Sequence, residues 1–168
     1  MKTSIFLDLE TLDTRSTAIV TEACFVAFDE ETGEMMGTLE LVPDFWDQLA
    51  SGRTWSKETL AFHGNRGSLP EGRGEDGEKC RVLIEDFFRE HAPERVWMWG
   101  ADFDRPVLED MLGGLPWDFW KTRCARTVWD VMFPGRKHSP RPHRALEDVM
   151  ASIADLREAL ALVKGGRL

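Results

Sequence analysis

Three small groups of residues carry types and spacings that could do chemistry. Asp8 and Glu10 stand two apart at the end of a run otherwise made of Ile5, Phe6, Leu7 and Leu9. On a β-strand that spacing puts both carboxylates on one face, where like charges repel. A divalent cation such as Mg²⁺ or Mn²⁺ is the usual reason to hold hard oxygen ligands together on a rigid strand. The other reading is a strand that runs out into a polar turn, with Asp13 and Arg15 as solvated neighbours. This pair alone leaves both open.

The second group is Gly100-Ala101-Asp102-Phe103-Asp104, directly after the apolar run Arg95 to Trp99. An open α/β sheet presents its functional residues at such strand ends. Asp102 has a structural use there, as N-cap of a following helix with Pro106 in its first turn. Asp104 has no such use. The third group is His143, five residues before Asp148. Five residues turn a helix by about 500°, so the two cannot share a face if both are helical. Pro140 and Pro142 keep the helix from starting much before His143. The imidazole is then left on an extended or mobile lead-in, as a movable base beside Asp148, a ligand fixed in the helix. Glu147 reads as a solvated helix residue.

The elements that must position these groups follow from apolar periodicity. Residues 3 to 9, Ala18 to Phe28, and Met35 to Val42 read as strands joined by tight connections, an antiparallel meander. A short helix is expected from Ser56 to His63, and a longer one from Glu78 to His91, with Val82, Leu83 and Phe87 at helical spacing. Gly64 to Gly77 holds five glycines and a single large apolar residue, Leu69, and reads as a mobile loop. Arg95 to Trp99 reads as a buried strand, Phe103 to Leu112 as a helix, and Thr122 to Val131 as a fifth strand. From Leu146, the residues Val149, Met150, Ile153, Leu156 and Leu160 form the stripe of a closing amphipathic helix. Strands first, then strand and helix alternating, is a three-layer α/β pattern with a five-stranded mixed sheet.

The chain of 168 residues is one domain's worth, 42% hydrophobic and 30% charged, with a net charge of -9. That charge argues against a general polyanion binder of the polybasic kind. It is unevenly spread, however. Lys121 to Arg144 contains seven bases and one acid, +6 in 24 residues, so the rest of the chain carries -15. Such a patch beside His143 can hold a few phosphates of a short single-stranded end, although charge runs are often only solvated surface. No apolar run approaches the ~18 residues of a membrane span, and the apolar stretch after Met1 is too short for a signal peptide. A cytoplasmic protein is expected. Cys24, Cys80 and Cys124 are odd in number and far apart, which reads as buried free thiols rather than a disulfide framework or zinc site. Trp97 and Trp99 read as core, and Trp117 and Trp120 as surface tryptophans able to stack bases or form a dimer contact.

The order D-x-E, F-D, H-x4-D resembles that of the DEDDh 3'-5' exonucleases of the ribonuclease H-like fold, from Thr3 to about Leu162. IFLDLETLDTR and WGADFDRPVLEDML are most similar to the small exoribonuclease group first described in mycobacteria and found in bacteria and phages. The resemblance implies a single ribonuclease H-like domain over residues 1–168. It implies metal ligands at Asp8, Glu10, Asp104 and Asp148, and a general base at His143, whose imidazole type titrates near neutral pH. Four carboxylates can hold two divalent ions, Mg²⁺ or Mn²⁺, ~3.5–4 Å apart astride a scissile phosphate. The expected product is a nucleoside 5'-monophosphate. Leu12 departs from a glycine-rich turn common after D-x-E-T, and Trp99 or Gly100 replaces an asparagine often found before F-D. Substrate contacts are expected at Thr11, Leu12, Phe103, Arg141 and Arg144, on a single-stranded 3' end. RNA is favoured by the resemblance alone, as is a homodimer. A DNA-directed exonuclease and a catalytically idle nucleic-acid-binding module are the rival readings.

Overall fold

A computed structural model describes residues 2–66 and 73–164. Its sheet has five strands in the order β3-β2-β1-β4-β5. They are β1 (Thr3–Thr11), β2 (Val20–Asp29), β3 (Met35–Leu41), β4 (Arg95–Met98) and β5 (Thr122–Cys124). β1, β2 and β3 form the antiparallel meander, and β4 and β5 add in parallel on the other side of β1. The helices are α1 (Phe45–Ala50), α2 (Lys57–Arg66), α3 (Gly77–His91), α4 (Asp104–Leu112), α5 (Ala125–Met132) and α6 (Ala145–Lys164).

Strand alternation sorts β1 between two apolar layers. Ile5, Leu7 and Leu9 pack with Phe25, Ile84, Phe88, Val107 and Leu108 under α3 and α4. Phe6 faces the opposite way, among Val26, Phe28, Trp97, Ala125, Val149 and Ile153 under α5 and α6. Asp8 and Glu10 follow Phe6 at intervals of two, so they continue its face toward α6. Asp8 lies opposite Cys24 across the β1–β2 ladder and Glu10 opposite Glu22. The apolar stretch of β1 thus becomes polar where α6 begins.

Two polar ties hold the sheet's ends. The Glu30 carboxylate accepts from Ser4 Oγ at 2.7 Å and Trp97 Nε1 at 2.8 Å, and pairs with Arg95 at 2.7 Å. A buried acid at the far end of the sheet is thereby fully used. Gln48 of α1, a helix the periodicity does not reveal, exchanges two hydrogen bonds with the backbone of Val20, each 2.8 Å. Its amide stands in for a strand at the start of β2.

Several expectations are corrected. The fifth strand stops at Cys124, and residues 125–132 are α5. Ala125, Val128, Trp129 and Met132 recur at helical spacing, and burial of Ala125 and packing of half-buried Val128 on the α6 side, with Trp129 buried beside Trp99 and Phe133, outweighs the strand preference of Thr127, Val128 and Val131. The Gly64 end of the expected loop belongs to α2, which runs on to Arg66. Glu75 makes a bridge with Pro43, and the middle of that loop lies outside the described residues. Trp117 is buried, stacked on Phe88 with ring centroids 4.8 Å apart, while Trp120 is exposed as expected. Cys24 and Cys80 are buried free thiols, whereas Cys124 is half-buried. No described helix is long and apolar enough to cross a membrane.

Candidate active site

Asp8, Glu10, Asp104, His143 and Asp148 all line one cleft of about 580 Å³ at the end of β1 and β4. β1 supplies Asp8 and Glu10. The chain leaving β4 turns through Gly100, whose carbonyl accepts from the amides of Phe103 and Asp104 at 2.8 and 3.3 Å. That turn starts α4 with Asp104 in its first turn, buried and aimed back at β1. The N-cap position is Phe103, with no side-chain cap, so Asp102 does not perform the capping role its position offered.

α6 starts at Ala145, after the two prolines, as their backbone limits require. Its first turn is set by Glu22 of β2, which accepts from the Ala145 amide at 3.2 Å and pairs with Arg144 at 3.1 Å. Asp148 is buried one turn into the helix, and its Oδ2 accepts from the His143 amide at 3.2 Å. His143 has φ of 61°, a left-handed conformation that a side-chain-bearing residue adopts only when its surroundings fix it. Its ring meets Phe62 edge-on at 4.8 Å. At His143 the lead-in is thus left-handed rather than extended, tied to Asp148 and Phe62. Asp155 of α6 accepts from the Ser139 amide and hydroxyl at 3.0 and 2.6 Å and pairs with Arg141 at 2.9 Å. The Arg141 guanidinium also lies 4.5 Å from the Trp99 ring centroid.

The donor set is short of positive charge. Burial, reinforced by Asp148, pushes the Asp8 carboxyl up to about 7, with Arg141 opposing. Burial and the Asp8 charge push Glu10 up to about 8. Burial and Asp8 also hold Asp104 well above the carboxylate range, despite help to its ionised form from backbone amides. Asp148 is raised too, chiefly by burial, with His143 opposing. Carboxylates placed so that ionising one raises the next have the electrostatics of a cation site. Two observations of geometry agree. One ligand atom from each of Glu10, His143 and Asp148 lies within 4.8 Å of the others. Asp148 Oδ1 is buried with no hydrogen-bond partner among the described residues, an arrangement proteins otherwise avoid. The residues therefore fit a divalent ion.

The expected substrate contacts divide. Thr11 and Phe103 line the cleft. Leu12 is 2% exposed and sits behind the wall, its amide donating to Ile19 O at 2.9 Å. Arg141 lines the cleft but is committed to Asp155, and Arg144 is committed to Glu22 outside the lining. Neither spacing nor composition points to His63, a buried histidine of α2 whose Nε2 lies 3.8 Å from Glu10 Oε2. Phe62 touches both His63 and His143, at 5.3 and 4.8 Å between ring centroids. Glu22 is equally hidden in the sequence, because its role arises from strand pairing.

Comparison with known proteins agrees with this architecture. Structures similar to the chain include Escherichia coli exonuclease I in complex with a dT13 oligonucleotide, at TM-score 0.70 and 14% identity over 99% of this chain and 42% of that one. The zinc-bound form of the E. coli exonuclease I–ssDNA complex gives TM-score 0.69 and 14% identity over 97% of this chain and 41% of that one. At these identities the likeness shows a shared fold, and this chain spans about two fifths of the length of those proteins. No curated protein matches the sequence significantly. Residues 3–158 match the Rv2179c-like 3'-5' exoribonuclease domain, and the chain belongs to that family.

Proposed function

We propose that this chain is a metal-dependent 3'-5' exonuclease acting on single-stranded 3' ends, RNA in preference to DNA, and releasing nucleoside 5'-monophosphates. The observation that supports this most is the convergence of Asp8, Glu10, Asp104 and Asp148 with His143 in one cleft, from three separate elements. Two divalent ions, Mg²⁺ or Mn²⁺, held by the four carboxylates, would supply a water acidic enough to be deprotonated and charge to stabilise the departing 3'-oxygen. His143 takes the proton from the attacking water. Its left-handed backbone, the bond from its amide to Asp148 and the edge of Phe62 direct its ring to the carboxylates. Thr11 and Phe103, on the cleft wall, bound the terminal nucleotide.

The RNA preference rests on the family's description. A DNA-directed activity is the second reading, favoured by the fold shared with an exonuclease whose structures hold DNA oligonucleotides. The test uses matched single-stranded RNA and DNA oligomers labelled at the 5' end, with Mn²⁺, Mg²⁺ or EDTA. Wild type with metal should give a ladder shortened from the 3' end and 5'-monophosphates, and RNA should be consumed faster. Equal degradation by Asp8→Ala would refute the site, and faster DNA turnover would refute the substrate preference.

A further inference from the structure

The basic run from Lys121 to Arg144 looks in sequence like one phosphate-binding patch, yet the fold spends most of it elsewhere. Arg123 donates to the carbonyls of Trp120 and Thr122. Arg136 pairs with Glu158 and stacks on Phe133. Arg141 is held by Asp155 and Arg144 by Glu22. Arg126 differs. It is exposed, lines the same cleft as the carboxylates, and makes no ion pair with any described residue.

Its position depends on a missing side chain. A Cβ on Gly100 would stand 2.5 Å from Arg126 Nη2, so the guanidinium lies in the space that glycine leaves. Asp102 Oδ1 lies 3.6 Å from the same point but forms no ion pair with Arg126. The forked donors therefore stay available at the cleft wall, on the side formed by Trp99, Gly100 and Phe103. A guanidinium in that state suits a phosphate oxygen pair.

Resting on the nuclease reading above, we infer that Arg126, seated over Gly100, is the residue that grips a phosphate of the bound strand, in place of Arg141 and Arg144. Gly100 is its positioning residue. The contact is to the backbone, so it strengthens binding of any sequence and adds one phosphate to the salt dependence.

The test measures binding of a fluorescein-labelled single-stranded RNA 12-mer by anisotropy in Ca²⁺, across salt concentrations, alongside steady-state hydrolysis in Mn²⁺. Arg126→Ala should weaken binding roughly five- to tenfold and reduce the slope of log K against log salt by about 0.7. KM should rise by a similar factor while kcat stays within about twofold. Gly100→Ala leaves the charge in place but displaces the guanidinium, and should reproduce most of the loss; Arg126→Lys should recover part of it. Matching melting curves separate these effects from misfolding. If wild type hydrolyses the strand while Arg126→Ala keeps its KM and salt slope, the role of Arg126 is overturned and the nuclease reading stands. If wild type neither binds nor hydrolyses any strand, both fall.

Discussion

Replacing Asp8 with asparagine should make the metal-free protein more stable at alkaline pH while abolishing the proposed activity. Burial and the neighbouring Asp148 move the Asp8 carboxyl from 3.8 to about 7. At 1.36 kcal/mol per tenfold change in proton affinity, that is about 4 kcal/mol against the ionised form. Asp8 is half-buried at the cleft surface, and water there screens much of this, leaving about 1–2 kcal/mol. The sign follows from proton counting. Between pH 4 and about 8 the folded protein keeps protons on Asp8 and Glu10 that the unfolded chain has released, so stability falls as pH rises through that window. The asparagine amide carries no charge to desolvate and relieves Glu10 and Asp104 as well. At ~2–4 °C per kcal/mol for a chain of this size, Asp8→Asn should melt about 3–6 °C higher than wild type in EDTA at pH 8, with the gap nearly closed at pH 4.5. Mn²⁺ should raise the wild type more than the variant. Thermal melts followed by circular dichroism at the two pH values decide it. A variant that melts lower than wild type in EDTA at pH 8, or a gap independent of pH, would refute the view that this cluster is held together against its own repulsion.

Other perturbations separate the roles within the cleft. His143→Ala should lower kcat by about 10²–10⁴ and reduce the Mn²⁺-induced rise in melting temperature less than Asp148→Ala does, as titration calorimetry and melts would show. Asp155→Ala frees Ser139 and strands the Arg141 guanidinium, and should cost about 3 kcal/mol in urea unfolding, with kcat falling because the His143 lead-in loses its anchor. His63→Ala removes the buried neighbour of Glu10 and should weaken Mn²⁺ binding measured by calorimetry, with little effect on oligonucleotide affinity once metal is saturating. Trp97→Phe leaves Glu30 without one of its donors at the far end of the sheet, and should cost about 1–2 kcal/mol in unfolding without changing kcat.

Much of the fold is legible in the sequence because its elements are strongly patterned. Phe6, Asp8 and Glu10 share a face for the same reason that Ile5, Leu7 and Leu9 share the other, and the period of two fixes both at once. The start of α6 is legible from Pro140 and Pro142, whose backbone limits act locally. Local preference fails where burial opposes it. Thr127, Val128 and Val131 favour a strand, but eight residues that bury Ala125 against α6 and Trp129 beside Trp99 and Phe133 make a helix. α1 escapes notice because six residues are too few for periodicity, although Asp44 caps it through the amides of Trp46 and Asp47.

The site is legible to the extent that its residues declare themselves by strand ends and proline stops, and illegible where function depends on what lies across from them. Arg141 and Arg144 stand out by charge and nearness to His143, yet the acids that occupy them come from Asp155 and from Glu22, on elements that only the fold brings near. Glu22 reaches α6 because it sits opposite Glu10 in the β1–β2 register, so one pairing places both a cleft carboxylate and the clamp on the helix that carries Asp148. Net charge hides the same arrangement. A chain of -9 with a run of +6 suggests an acidic body and a basic edge, but three of the run's seven bases, Arg136, Arg141 and Arg144, are paired with acids in place. What faces the cleft is a carboxylate cluster beside the Arg126 guanidinium. Once Asp8 and Glu10 ionise, as pH rises past their raised range, such a surface repels a phosphate chain until cations compensate the acids, so the same charges that would hold metal also make strand binding depend on it.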